Sequence, residues 1–268
     1  MQLNYIPAMH DPVLLAFVFV FGISFGSFFN VLIYRLPHEI SLYRPGSHCP
    51  ICKSKIRFYE NVPIISFIAL RGRCSHCKAK ISWRYPLVEA LAGLLAVGAF
   101  YWFGFTVKGF EAALLSLIFI PVFFIDLEHR IIPDILDLPW IPIGLIVSFF
   151  PGAIVNWKES LLGIIIGGGL FFFVMWMGEK VFRKEAMGFG DVKLAAMLGA
   201  FLGWKNILLV LVMGSFFGSV VGIAIIALSR RDGKSTYVPF GPFLVFAAAL
   251  ALYFGGTIIK AYLTFVGA

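Results

Sequence analysis

From Pro12 to Tyr34 the chain reads PVLLAFVFVFGISFGSFFNVLIY, with no charged residue. A helix rises about 1.5 Å per residue, so this run reaches about 35 Å, enough to cross a hydrocarbon core of about 30 Å. In a bilayer, a helix satisfies its own backbone groups and offers its side chains to lipid. Similar runs recur along the chain, and 60% of the 268 residues are hydrophobic against 13% charged, with a mean hydropathy of +0.92. These features define an all-α polytopic membrane protein. About eight transmembrane helices are expected, near residues 12 to 34, 86 to 106, 111 to 127, 134 to 150, 160 to 182, 190 to 203, 206 to 228 and 240 to 265. The fourth and sixth are short, which tilt in thinned lipid or shielding by neighbouring helices would accommodate.

Orientation follows from the basic residues, because loops left in the cytoplasm are enriched in Lys and Arg. Of 22 such residues, 18 fall on one side of the drafted topology. Ten lie between Arg35 and Arg84; the others are Arg130, Lys180, Arg183, Lys184, Lys193, Arg230, Arg231 and Lys234. Only Lys108, Lys158, Lys205 and Lys260 fall on the other side, and only His10 precedes the first span. Both termini are therefore expected to face away from the cytoplasm. The net charge of +8 reads as this topology signal together with a surface facing anionic lipid, and not as a nucleic-acid interface. The amino terminus lacks the basic region of a cleaved signal, so residues 1–34 are expected to be an outward segment plus a retained first span.

Residues 35–85 form the one sizeable polar region, on the cytoplasmic side, and hold all four cysteines. Cys49 and Cys52 (CPIC) and Cys74 and Cys77 (CSHC) make two C-x-x-C knuckles separated by 21 residues. Four thiolates at that spacing suit tetrahedral Zn²⁺, with an Fe–S centre or unligated thiols as the alternatives. A reducing compartment disfavours disulfides, and no βαβ context supports a redox pair. A loop of about 50 residues has too small a core to fold firmly alone, which gives a structural zinc a stabilising task. With four cysteines at hand, His48 and His76 are expected to be bystanders.

Carboxylates cluster at the span ends on the same side. IDLEHRIIPDILDLP carries Asp126, Glu128, Asp134 and Asp137, and Asp191 opens the segment after Gly188-Phe189-Gly190. Two carboxyl groups sharing a partly desolvated site cannot both ionise cheaply; one keeps a proton while the other stays charged, as aspartic proteolysis requires. Asp191 has a competing reading as a helix cap. Capping explains Asp126 poorly, because a helix C-terminus disfavours negative charge. Glu128, His129 and Arg130 read as a solvated cluster, Asp134 as a first-turn residue, Asp137 as a rim polar group and Lys193 as a snorkelling surface lysine. Gly22 and Gly26 fit close helix packing, and Asn30 is expected to hydrogen-bond a neighbouring helix.

MGFGDVKLAAMLGAFLG is similar to the GxGD segment of type IV prepilin peptidases. GSFFNVLIYRLP, CPIC, YENVPIISFIALRGRCSHCKAKISWRYPLVE, IDLEHRIIPDILDLP and VPFGPFL stand in the order that family shows, over nearly the whole chain. A lone GxGD is shared with presenilin-like and preflagellin peptidases; this series of motifs is far more specific. The resemblance implies a bacterial inner-membrane aspartic endopeptidase that removes the basic leader of prepilins and pseudopilins at the cytoplasmic face, after a glycine. It places the catalytic aspartates on Asp126 and Asp191, within a membrane peptidase domain over residues 86–268. It also implies N-methylation of the new amino terminus with S-adenosylmethionine.

No Gly-rich nucleotide turn marks a pocket for that methyl donor. The family resemblance points to the cysteine loop, where Glu60, Asn61 and Gly72 are the candidates, each set against a plain turn or knuckle role. Phe58 and Tyr59 read as membrane-interface packing. Gly188 and Gly190 would let backbone approach the scissile bond, or only shape the turn. Two other function classes remain: a zinc-binding scaffold of a secretion or pilus assembly, needing the cysteines alone, and a proton-coupled transporter, needing carboxylates near the bilayer midplane.

Overall fold

The computed structural model describes residues 11–44, 46–182, 188–229 and 238–267. His10, Arg183, Lys184, Arg230, Arg231 and Lys234 of the topology argument lie outside the described residues. The helices are α1 (Pro12–Arg35), α2 (Ile65–Ala69), α3 (Arg84–Phe103), α4 (Val107–His129), α5 (Trp140–Val147), α6 (Trp157–Phe182), α7 (Phe189–Ser229) and α8 (Gly241–Val266). Among the described residues, β pairing is limited to two isolated bridges, His48 with Lys55 and Arg73 with Lys80. The chain divides into two compact units, one up to Pro121 and one from Val122 onward.

In the first unit α1 begins where Asp11 accepts the Val13 amide at 2.9 Å and Pro12 takes the first helical position, which needs no donor. It lies antiparallel to α3. A methyl group added to Gly26 would come within 2.6 Å of Glu89 Cα, so the small residues expected to allow close packing do so. Asn30 Nδ2 donates to the Tyr85 carbonyl at 3.1 Å, the expected bond between helices. The cysteine loop is fastened to α3 by buried Glu89, which accepts the Ile64 amide at 2.7 Å. Ile64 has φ 61, a strained value for a β-branched residue, so that bond holds the backbone where it would not rest alone.

In the second unit, α6 and the first part of α7 run antiparallel and so close that Gly163 and Gly199 have no room for side chains. Gly203, with φ 74 and ψ 172, interrupts α7 in a conformation that glycine reaches at little cost. A straight helix would place residues 190 and 218 about 42 Å apart. Instead, side chains added to Gly190 or Gly218 would meet Ile132 or Phe240, and Ile132 itself reaches Gly241. Both positions thus border the start of α8, and α7 folds back on itself at Gly203.

Among the described residues, six helices are long and apolar enough to cross a membrane: α1, α3, α4, α6, α7 and α8. The all-α membrane architecture is as expected, whereas length does not establish eight spans. The sixth and seventh drafted spans are the two limbs of α7, and the first, residues 189–202, is only about 21 Å long. The fourth shrinks to the eight residues of α5, about 12 Å.

Candidate active site and metal centre

Three chain segments of the second unit meet around Asp126. It sits in the last turn of α4, Asp191 in the first turn of α7, and Gly241 opens α8. Asp126 is 5% and Asp191 8% exposed, and they are near enough for their charges to repel. Ile132, on the segment leaving α4, packs against both Gly190, next to Asp191, and Gly241. A methyl group on Gly190 would come within 3.1 Å of Ile132 Cβ, and one on Gly241 within 2.5 Å of Asp126 Oδ2. Asp126 Oδ2 is buried with no hydrogen-bond partner among the described residues, a costly state for a carboxylate oxygen. Asp191 is the third residue of its helix and so lies inside it, past the N-cap position whose side chain would accept the first free amides. That geometry gives the capping role little to rest on.

The neighbouring charges differ from the sequence reading. Lys193 is not a surface lysine: its side chain is 12% exposed and pairs with Asp134 and with Asp137, the latter at 3.8 Å. Asp137 is fully buried and does not lie on a rim. A hydropathy profile sees a charge near a helix end but not its partner far along the chain, so neither burial is legible locally. Asp134 does open a short 3-10 turn, Asp134–Leu136. Glu128 lies 3.9 Å from His129, both partly exposed, as a solvated cluster would be.

The first unit gathers Cys49, Cys52, Cys74 and Cys77 so that all four Sγ atoms lie within 4.8 Å of one another. Cys49 Sγ is 3.9 Å from Cys77 Sγ, and Cys52 Sγ 4.0 Å from Cys74 Sγ. A tetrahedron with Zn–S bonds of about 2.3 Å has S···S edges of about 3.8 Å, so the set fits the ion.

The two knuckles are built alike. Cys49 N–H donates to the Ser54 carbonyl and Lys53 N–H to Cys49 O, at 2.9 Å each; Cys74 N–H to Ala79 O and Lys78 N–H to Cys74 O follow the same pattern at 2.8 and 3.1 Å. Lys53 and Lys78 both take a left-handed φ, 58 and 60, closing each turn directly after its second cysteine. The Ser54 hydroxyl holds the Cys52 thiol down at about 6, and the amides of Cys77 and His76 lower that of Cys74. Although the Ala79 amide favours its thiolate, Cys77 is pushed up to about 11 as desolvation and the other sulfurs disfavour a further negative charge. Four sulfurs held this close suit a shared cation, which would favour their thiolate forms together. His48 Nδ1 bonds the Gly46 carbonyl and His76 Nδ1 the Ser75 hydroxyl; neither belongs to the sulfur cluster.

Comparison with protein families matches residues 20–103 to the bacterial peptidase A24 N-terminal domain and residues 113–223 to the type IV leader peptidase family. A prepilin leader peptidase/N-methyltransferase of Stutzerimonas stutzeri is 38% identical, covering 94% of this chain and 95% of the relative. Relatives of the same name from Pseudomonas aeruginosa (36%; 99% and 98% covered) and Myxococcus xanthus (41%; 86% and 69% covered) are also similar. The chain belongs to the type IV leader peptidase family. No solved structure matches it.

In this type IV leader peptidase family member, the N-terminal match holds the four cysteines and the second match holds both aspartates. Of the three methyl-donor candidates, Glu60 and Asn61 share one short turn and Gly72 lies eleven residues further along the chain. Gly72, with φ 64, lines a cleft of about 640 Å³ together with Phe67, Trp83, Arg71 and Arg73. Glu60 and Asn61 do not line it and belong to a separate 3-10 turn, Phe58–Asn61. Glu60 accepts the Arg57 amide at 2.9 Å, and that amide, with the Ser75 hydroxyl, holds its carboxyl below the usual range.

Sequence reasoning missed Gly241, Ile132 and the Lys193 pairing. Only the VPFGPFL stretch around Gly241 offered a signal. Gly241→Ala ordinarily gains about 0.5–1 kcal/mol in a helix. Here the new methyl meets the free end of the Asp126 side chain, which can turn aside. The fold is therefore expected to keep its unfolding temperature while peptide cleavage falls about 10- to 100-fold, because a displacement of about 1 Å at a reacting group costs that much. Steady-state cleavage beside thermal unfolding checks both halves.

Proposed function

We propose that the chain is a membrane aspartic endopeptidase that removes the basic leader of type IV prepilins and type II secretion pseudopilins after a glycine, then N-methylates the new amino terminus with S-adenosylmethionine. Supporting this is the burial of Asp126 and Asp191, brought from two separate helix ends to within reach of each other's charge. The names of the relatives point the same way. One carboxylate takes a proton from water; the other, protonated, hydrogen-bonds the scissile carbonyl. The hydroxide oxygen adds to the carbonyl carbon, and the leaving amine collects a proton as the C–N bond breaks. Gly190 and Gly241 let Ile132 and the Asp126 carboxylate pack directly against the backbone that borders the pair.

Cys49, Cys52, Cys74 and Cys77 would hold a zinc ion, which serves as the cross-link of the domain over residues 35–85. Residues 86–268 then form the peptidase domain. The methyl donor is assigned to the cysteine loop, with Gly72 the first residue to test and Glu60 and Asn61 after it. The excess of Lys and Arg supports a cytoplasmic-facing loop and aspartate pair with both termini periplasmic, and the names of the bacterial relatives support an inner-membrane setting.

The deciding experiment incubates purified protein, a prepilin and S-adenosylmethionine, and reads the product by mass spectrometry. Leader loss plus one methyl group is expected. An intact prepilin would overturn the reading, and proton-coupled uptake into vesicles by the same preparation would favour a transporter.

A further inference from the structure

We propose that Lys193 is a positioning residue for peptide cleavage: pairing with Asp134 and Asp137, it ties the segment leaving α4 to the helix that carries Asp191, and so sets how the two catalytic carboxylates face each other. This rests on the proteolytic reading of Asp126 and Asp191 above.

Residues two apart on a helix point about 200° from one another, so Lys193 faces away from the side of α7 that presents Asp191. It is not placed to touch substrate, and acts through the backbone it shares. Its ammonium lies over the Phe189 ring at 5.7 Å and meets the two carboxylates of the segment that follows Asp126. That segment has little freedom of its own. Arg130, at φ 60, ends α4 with its amide on the Asp126 carbonyl at 2.9 Å, and Pro133 follows. Ile132 between them is the side chain wedged against Gly190 and Gly241 beside Asp126.

Asp137 explains why a cation is needed. Its Oδ1 accepts the Leu138 amide at 2.6 Å, but its Oδ2 is buried with no hydrogen-bond partner among the described residues, and Lys193 is the cation facing it. Without that charge, Asp137 must take up a proton or move toward water. Movement would carry the 130–139 segment, and Ile132 with it, away from α7. A pair that stabilised the fold alone would leave kcat untouched once the protein had folded. A pair that aligns the carboxylates acts on kcat and spares KM, because misalignment is felt in the transition state.

The test is steady-state prepilin cleavage by the full-length enzyme in detergent, with thermal unfolding recorded for each variant. Lys193→Met keeps the length of the side chain and removes its charge; kcat is expected to fall about 30-fold or more while KM stays within about threefold. Lys193→Arg restores the charge and is expected within about threefold of wild type. Lys193→Met with Asp137→Asn is expected to be no slower than Lys193→Met alone, since both changes break one link. A folded Lys193→Met enzyme with wild-type kcat, a loss confined to KM, or losses that multiply in the double variant would overturn the proposal. Should Lys193→Met fail to fold, Asp137→Asn, which keeps the side-chain shape, is judged by the same split between kcat and KM. If the wild-type enzyme left prepilin uncut, the proteolytic reading itself would fail, which separates that outcome from a failure at Lys193.

Discussion

Asp191→Asn is expected to lower prepilin cleavage by about 10³-fold or more while leaving the helical fold intact. The amide matches the carboxyl group in shape but can neither accept a proton from water nor give one to the scissile carbonyl. Stability should not suffer and can rise, because a second buried carboxylate beside Asp126 is a liability to the folded state. The same substitution should leave methylation of a pilin supplied already cleaved, since the cysteine loop belongs to the other compact unit. Mass spectrometry of both substrates, beside circular dichroism and thermal unfolding, reads all three effects. Normal cleavage by the folded variant would return Asp191 to a helix-dipole role in the first turn of α7 and sink the proteolytic assignment. A zinc scaffold would show no cleavage with either aspartate or asparagine at this position.

The parts of this molecule legible in its sequence are those governed by local rules. Apolar runs announce the long helices, and the polar break at Lys205 and Asn206 divides the two limbs of α7 close to the true reversal at Gly203. The knuckles are equally local, because each cysteine pair closes its own turn and needs only to face the other pair. What remained hidden depends on residues far apart in sequence. Asp137 looks like a rim residue until Lys193 is placed on it from a different helix. Gly241 looks like an ordinary first residue of a helix until Asp126 is found against its Cα. Ile132 gave no signal, since an isoleucine before Pro133 could pack anywhere. The number of spans failed for another reason: hydropathy finds apolar segments, but α5 and the first limb of α7 are apolar and still short of the hydrocarbon thickness.

Removing the metal, or replacing Cys74 with serine, is expected to unfold residues 36–83 and leave the long helices in place. Between residues 36 and 83 only Cys49 and Ser66 are buried among the described residues, so the loop has almost no apolar core of its own. Its order then rests on the Glu89 bond to Ile64 and on the four sulfurs. Structural zinc contributes about 10–16 kcal/mol of binding free energy in small domains, far more than one hydrogen bond at about 1 kcal/mol can replace. Elemental analysis is expected to find about one zinc per chain in the wild type and much less in Cys74→Ser. Trypsin should then cut at Lys53, Lys55, Arg71 or Lys78, sites protected while the knuckles are closed, with helical circular dichroism nearly unchanged. Methylation is expected to fall about 100-fold, and cleavage by less than about tenfold, because Asp126, Asp191 and Gly241 all lie in the unit whose core is made by α6, α7 and α8. Metal-free protein that resists trypsin as the wild type does would show that the cysteines hold the loop without an ion. Equal loss of both activities would mean that the loop serves the cleavage step as well.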